Sequence, residues 1–142
     1  MIEIIDAISV RLDELFGDSY TIYLESVEQN LQTPCFFIQP VHSSDKNMID
    51  TRKFRTYSYV IDFIPTDDEG YRVQFVDVTS KLFDGFDSVT LSDGTILHTF
   101  NRTVDIVDEI LHFTLQFRIY TYKPSNEIMQ ESMEMSVINN DN

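Results

Sequence analysis

The chain has no tryptophan, one cysteine, four glycines and four prolines in 142 residues. Each shortage excludes something. A single cysteine, Cys35, cannot build an internal disulfide framework and suits a reducing cytoplasm. Scattered glycines offer no loop to cradle a phosphate. Basic residues number 10 against 24 acidic ones, and the net charge of −14 repels phosphate backbones. Sequence-independent grip on nucleic acid is therefore disfavoured, although a surface past which DNA slides is not. No run approaches the roughly 20 apolar residues needed to cross a bilayer. The opening MIEIIDAISVRLDELF lacks the basic start and unbroken apolar stretch of a signal peptide. The expectation is a soluble intracellular protein with no membrane partner, in which Asn101-Arg102-Thr103 is an accidental glycosylation acceptor.

Catalytic patterns are also missing. His42, His98 and His112 are too scattered for a local metal motif, and no nucleophile-bearing GxSxG turn occurs. His98 and His112 would approach each other if their strands paired. That leaves a metal or acid–base pair open, beside the simpler reading of two satisfied strand-face residues. Asp105, Asp108 and Glu109 near His112 resemble a base with its orienter, but turn chemistry explains Asp108 and Glu109 more simply. Cys35, between Pro34 and Phe36, sits in an apolar setting that raises its pKa and reads as a small core residue. The expectation is no catalytic residue, no metal and no cofactor.

What is present is a long period of two. Leu111, Phe113, Leu115, Phe117 and Ile119 alternate with His112, Thr114, Gln116 and Arg118, which demands a strand with one buried face. Ile5, Ile8, Leu12 and Leu15 recur at helical spacing instead, predicting helix 2–16 with Gly17 as its left-handed cap. Tyr20–Leu24 and Cys35–Ile38 read as strands, with Pro40 ending the second or lying at an edge. Residues 42–51, HSSDKNMIDT, show no sustained period and read as a long polar loop. Tyr57, Tyr59, Ile61 and Phe63 mark the next strand, stopped by Pro65.

Thr66-Asp67-Asp68-Glu69 fits a capping box ahead of a second helix. Its stripe is Tyr71, Phe75, Val78 and Leu82, closed by Gly85. Ser92-Asp93-Gly94 and Asp108-Glu109 are turn signals among the segments Val89–Leu91, Thr95–Phe100 and Thr103–Val107. The sum is one α+β domain, residues 1–123, with a single mainly antiparallel or mixed sheet flanked by two helices. Residues 124–142 form an acidic tail, either a short helix around Ile128–Met135 or disordered. Arg52, Lys53 and Arg55 are the one basic cluster, a salt-bridge face toward a neighbouring subunit or an internal partner.

Several short motifs, in order along nearly the whole chain, resemble a family of phage tail-terminator (tail-completion) proteins of tailed phages and prophages of Gram-positive bacteria. They are Ile22-Tyr23-Leu24-Glu25-Ser26-Val27-Glu28-Gln29, Thr33–Ile38, Arg52, Tyr57–Pro65, and Asp108 with Leu111-His112-Phe113. Glu109 stands where the family often has glycine. The resemblance implies a tail-terminator-like sheet with helices and no enzymatic activity. It implies a homo-oligomeric ring, typically a hexamer, that caps the tail tube, ends polymerisation and joins the head–neck connector. DNA would pass through it without specific binding. The protein would be assembled in the host cytoplasm and reside in the virion tail, with the tail tube protein and the connector as partners. His42, Asp45, Lys46, Arg52, Lys53 and Arg55 are the candidate subunit or tube interface. Alternatives are another neck or tail-tube component, a monomeric adaptor, or a small hydrolase using His112 and Asp108.

Overall fold

The computed structural model describes residues 2–24, 30–48, 51–66 and 70–122. Helix α1 spans Ile2–Phe16, as its apolar spacing predicts, and buries Ile4, Ala7, Ile8 and Leu12. Gly17 follows at φ 77 and donates its N–H to the Asp13 carbonyl at 2.9 Å, the left-handed closure expected of it. Six strands succeed it: β1 Thr21–Tyr23, β2 Cys35–Asn47 and β3 Arg52–Ile64, then, after helix α2 (Tyr71–Gly85), β4 Ser88–Thr90, β5 Ile96–Val107 and β6 Ile110–Tyr122. They form one sheet in the order β1-β2-β3-β6-β5-β4. β1 runs parallel to β2, while β4–β5 and β5–β6 are antiparallel. This is an α+β fold on a single mixed sheet with two helices.

Among the described residues the chain divides into two compact units, residues 1–43 with 56–118 and residues 44–55 with 119–122. The first holds both helices and the core. Leu111, Phe113, Leu115 and Phe117 of β6 are fully buried, as the period of two requires, beside Tyr59, Ile61 and Phe63 of β3. Aromatic rings join sheet to helices on that face: Phe16 meets Phe36, Phe75 meets Phe63, and Phe83 meets Phe113. Their tilted and edge-to-face contacts replace the absent tryptophan as the source of large buried area. In the second unit, Phe54 and Tyr120 pack edge to face at 5.1 Å.

Three expectations are corrected. The long loop at 42–51 is instead a hairpin: β2 continues to Asn47, β3 starts at Arg52, and the Met48 N–H donates to the Arg52 carbonyl. Of the two readings of Pro40, the edge position holds: β2 runs on to Asn47, and Pro40 lies past the end of β1. β1 pairs only with Cys35–Phe37, and the Thr21 N–H donates to the Pro34 carbonyl. Alternation along the strand then turns the missing N–H of Pro40 toward the same side, beyond the end of β1, where no ladder bond is lost. Thr66 is not a helix cap. α2 begins at Tyr71 behind a left-handed Gly70, and the Thr66 hydroxyl accepts from Gln74 Nε2 at 2.9 Å while its N–H donates to Gln74 Oε1. Glu69 lies outside the described residues, as does the tail at 124–142.

Gly85 closes α2 as expected, without a left-handed backbone. A Cβ there would lie 2.4 Å from Leu15 Cδ1, and the Gly85 carbonyl accepts from Arg11 Nε at 2.7 Å. Close approach of the two helices, not backbone freedom, selects glycine at this position. The segments at 95–100 and 103–107 merge into the one strand β5, interrupted by a bulge between Thr99 and Asn101.

Candidate assembly surfaces

The predicted interface residues fall on the β2–β3 hairpin. Residues 39–47 of β2 are exposed throughout, carrying His42, Asp45 and Lys46; Arg52, Lys53 and Arg55 follow on β3. The structure brings three of the six together. Asp45 Oδ2 lies 3.4 Å from Arg55 Nε and 3.9 Å from Lys53 Nζ. The internal partner left open by the sequence is therefore Asp45. All three side chains are more than a quarter exposed, so this pairing contributes at most ~1 kcal/mol to folding. It fixes the orientation of the cations more than it stabilises the fold. Lys46 and Arg52 are exposed on the same arm, whereas His42 belongs to the other compact unit.

The histidines do not meet. His98 is opposite Ser88 on β4, and His112 is opposite Asp105 on β6's partner strand. Instead, His112 Nδ1 lies 2.5 Å from Asp62 Oδ1, and Gln39 Nε2 donates to Asp62 Oδ2 at 3.1 Å. Two rungs further along, Gln116 Nε2 donates to the buried Ser58 hydroxyl at 2.9 Å, and Asn101 Nδ2 donates to Gln116 Oε1 at 3.0 Å. These chains cross β2–β3–β6 and β3–β6–β5 on the face opposite the helices. Side-chain partners lock neighbouring strands on this face. Asp62 escaped the sequence reading. Its signal was present, because Ser58 with Gln116 and Asp62 with His112 are polar pairs of the same parity that an antiparallel β3–β6 register brings together.

No hydroxyl or thiol pairs with His112 among the described residues, and no three acidic, histidine or cysteine side chains converge to hold a metal. Cys35 is wholly buried, and desolvation pushes its thiol up to about 11, an unreactive core position. No helix is long and apolar enough to cross a membrane among the described residues.

Two further features adjoin β5. A groove of about 690 Å³ is lined by Tyr71, Arg72, Phe75 and Val76 of α2 together with Ile106 and the Asp108-Glu109 turn. A polar groove of about 600 Å³ lies at the other end of the strand, lined by Phe83, Asp84, Asp87 and Phe100–Arg102. Arg102 Nη1 contacts both the Phe83 carbonyl, at 2.9 Å, and Asp87 Oδ1.

Residues 3–129 match the family model described as phage tail terminator protein. The chain is thus a structural component of a phage tail rather than an enzyme, with other virion proteins as its partners. It belongs to the phage tail terminator family. No curated protein matches it. A chain in the solved virion of a native gene transfer agent particle is similar in fold, at TM-score 0.50 and 18% identity over 80% of this chain and 90% of its own. A second solved chain is 12% identical over 86% of this chain and 96% of its own, at TM-score 0.40.

Proposed function

We propose that this protein closes into a ring, most simply of six subunits, that caps the finished tail tube. The ring ends tube polymerisation and gives the head–neck connector a surface to join, while DNA passes through without specific binding. Assembly takes place in the host cytoplasm. Membership of the tail terminator family is the observation that carries this reading. The charge distribution supports it. A chain of net charge −14 repels its own copies, so its few exposed cations are the natural contacts to an acidic neighbour or tube. Lys46, Arg52, Lys53 and Arg55 concentrate on one hairpin arm, where Asp45 pairs with Lys53 and Arg55. The mechanism is geometric: a head-to-tail interface closes only when the rotation per subunit completes a circle.

The test is to add the protein to its tail tube protein during polymerisation. Tubes should stop growing at sub-stoichiometric amounts, and the Arg52→Glu/Arg55→Glu variant should remain folded but lose this effect. Unchanged tube growth with the native protein would reject capping. Full activity of the charge-reversed variant would reject the role of the arm alone.

A further inference from the structure

The two edges of the sheet are each covered over one short stretch. β1 pairs with β2 only at Cys35–Phe37, and β4 pairs with β5 only at Ile96–His98. Beyond β1, β2 carries Pro40 and Lys46, residue types that blunt an edge against further pairing. β1 itself, Thr21-Ile22-Tyr23, carries neither type, and nor does β5 from Arg102 to Val107. Among the described residues no further strand lies beside either stretch.

Both stretches turn backbone groups outward. Val107 pairs with Ile110 across a two-residue turn whose residues Asp108 and Glu109 have φ 53 and 63, the type I′ geometry. Residues flanking such a turn exchange both ladder bonds. Asp105 and Thr103 therefore bond to β6, while Ile106 and Val104 point N–H and C=O outward. On β1 the Thr21 N–H bonds to the Pro34 carbonyl, so Ile22 points its own N–H and C=O away from β2. The side chains match as well. Tyr23 stacks on Phe37 on the open face, which sets Ile22 and Leu24 on the helix face, with Leu24 half exposed. Pairing with Leu111 and Phe113 sets Ile106 and Val104 on that same face, beside the groove lined by Tyr71, Phe75 and Val76.

We infer that β1 of a second copy adds antiparallel to this edge of β5, laying Ile22 and Leu24 over the groove beside Ile106. A chain cannot supply its own β1, because β2, β3 and β6 stand between β1 and β5 in the same sheet. Direction agrees. Three antiparallel steps separate β2 from β5, so the two run oppositely, and β1 is parallel to β2. Position agrees too. The row Gln39–Asp62–His112–Asp105 crosses β2, β3, β6 and β5. Phe37, the partner of Tyr23, lies just past that row, as Ile106 and Val107 do on β5. A second copy set edge to edge in the same orientation therefore brings its β1 to the opening. Charge is complementary: past β1 the second copy's β2 continues toward β4 with Lys46, and β4 is flanked by Asp87 and Asp93. Joining opposite edges of one sheet makes a head-to-tail contact, the kind that can close into a ring. The pairing rests on the self-assembly in the ring reading and names the surfaces that carry it.

The experiment is amide hydrogen exchange on the full chain, at rising concentration and on capped tubes, together with disulfide trapping. Exchange at Ile22, Val104 and Ile106 should slow together by at least about tenfold on assembly, while Thr103 and Asp105 stay protected throughout. For trapping, Thr21→Cys is mixed in turn with Thr103→Cys, Asp105→Cys or Val107→Cys, all on the open face. One mixture should yield a crosslinked dimer, and no variant alone should; the native Cys35 is buried and stays silent. Leu24→Asp, at an exposed position, should keep the native circular dichroism and lose both signals. Protection of Val104 and Ile106 at every concentration, with Ile22 exchanging fast, would show that the chain covers its own edge and would overturn the pairing. Thr21→Cys crosslinking to itself would make the contact symmetric and overturn it equally, as would unchanged exchange at all three amides. Capping without a crosslink in any mixture rejects this interface alone, and a crosslink without arrested tube growth rejects capping alone.

Discussion

β2 and β6 are both 13-residue strands of one sheet, yet they differ in nearly every side chain. Along β6 every second residue from Leu111 to Phe117 is fully buried. Along β2 only Cys35, Phe36 and Ile38 are buried, and residues 39–47 are exposed on both faces. One strand is held by what its side chains bury, and the other half of β2 by backbone pairing to β3 with a few charged contacts. A folding core and the arm proposed for assembly are thus made from the same secondary structure. The difference is where the apolar area goes.

The largest expected effect breaks the core side of this comparison. Phe113→Ala should cost about 3–5 kcal/mol, because the ring is fully buried against Phe83 and Phe86 and its removal leaves a cavity. Denaturant unfolding checks it. Gly85→Ala comes next, at about 1–3 kcal/mol, since the new methyl collides with Leu15. Leu15→Ala in the same chain should recover part of that loss, a coupling that a double-mutant cycle measures. Independent, additive losses would mean that the two helices do not share this contact.

On the polar face, Asp62→Ala removes the shared acceptor of Gln39 and His112 and should cost about 1–3 kcal/mol. If the pair only bridges strands, His112→Ala should then add little to Asp62→Ala. Smallest of all is the arm. Arg55→Glu should change stability by about 1 kcal/mol or less, since its ion pair with Asp45 is partly exposed, while impairing assembly. A large loss of stability there would erase the distinction between core and arm.

High pH offers another probe of the core. Burial raises Cys35 from 9.0 to about 11 and Tyr59 from 10.0 to about 12. Both acids ionise earlier when unfolded, so the unfolded chain binds fewer protons above pH 9 and stability falls as pH rises from about 9 to 12. Cys35 should also resist alkylation in the native chain at pH 8 and react after unfolding. Rapid native alkylation would show that the site opens readily.

The same contrast explains what was legible in the sequence. β6, α1 and the core stripe of α2 announce themselves, because burial on one face writes a period into the residues. The distal half of β2 reads as a loop because a strand exposed on both faces carries no period, and its pairing is made by backbone groups common to every residue. Thr66 offers a cap by composition, yet its hydroxyl receives Gln74 instead, a tertiary contact that no local motif encodes. Gly85 likewise answers to Leu15, a residue 70 positions away in sequence. At the candidate interface, the basic cluster was visible from charge alone and Asp45 lay within the segment beside it. The Asp62–His112 pair needed the β3–β6 register, which is a property of the whole sheet.

Negative-stain microscopy of the protein mixed with its tail tubes, alongside its native mass alone, tests the central claim most directly. Rings seated at one end of tubes of fixed length are the predicted result, even where the free protein is a monomer. Bare tube ends of unchanged length distribution, with the protein strictly monomeric, would contradict it.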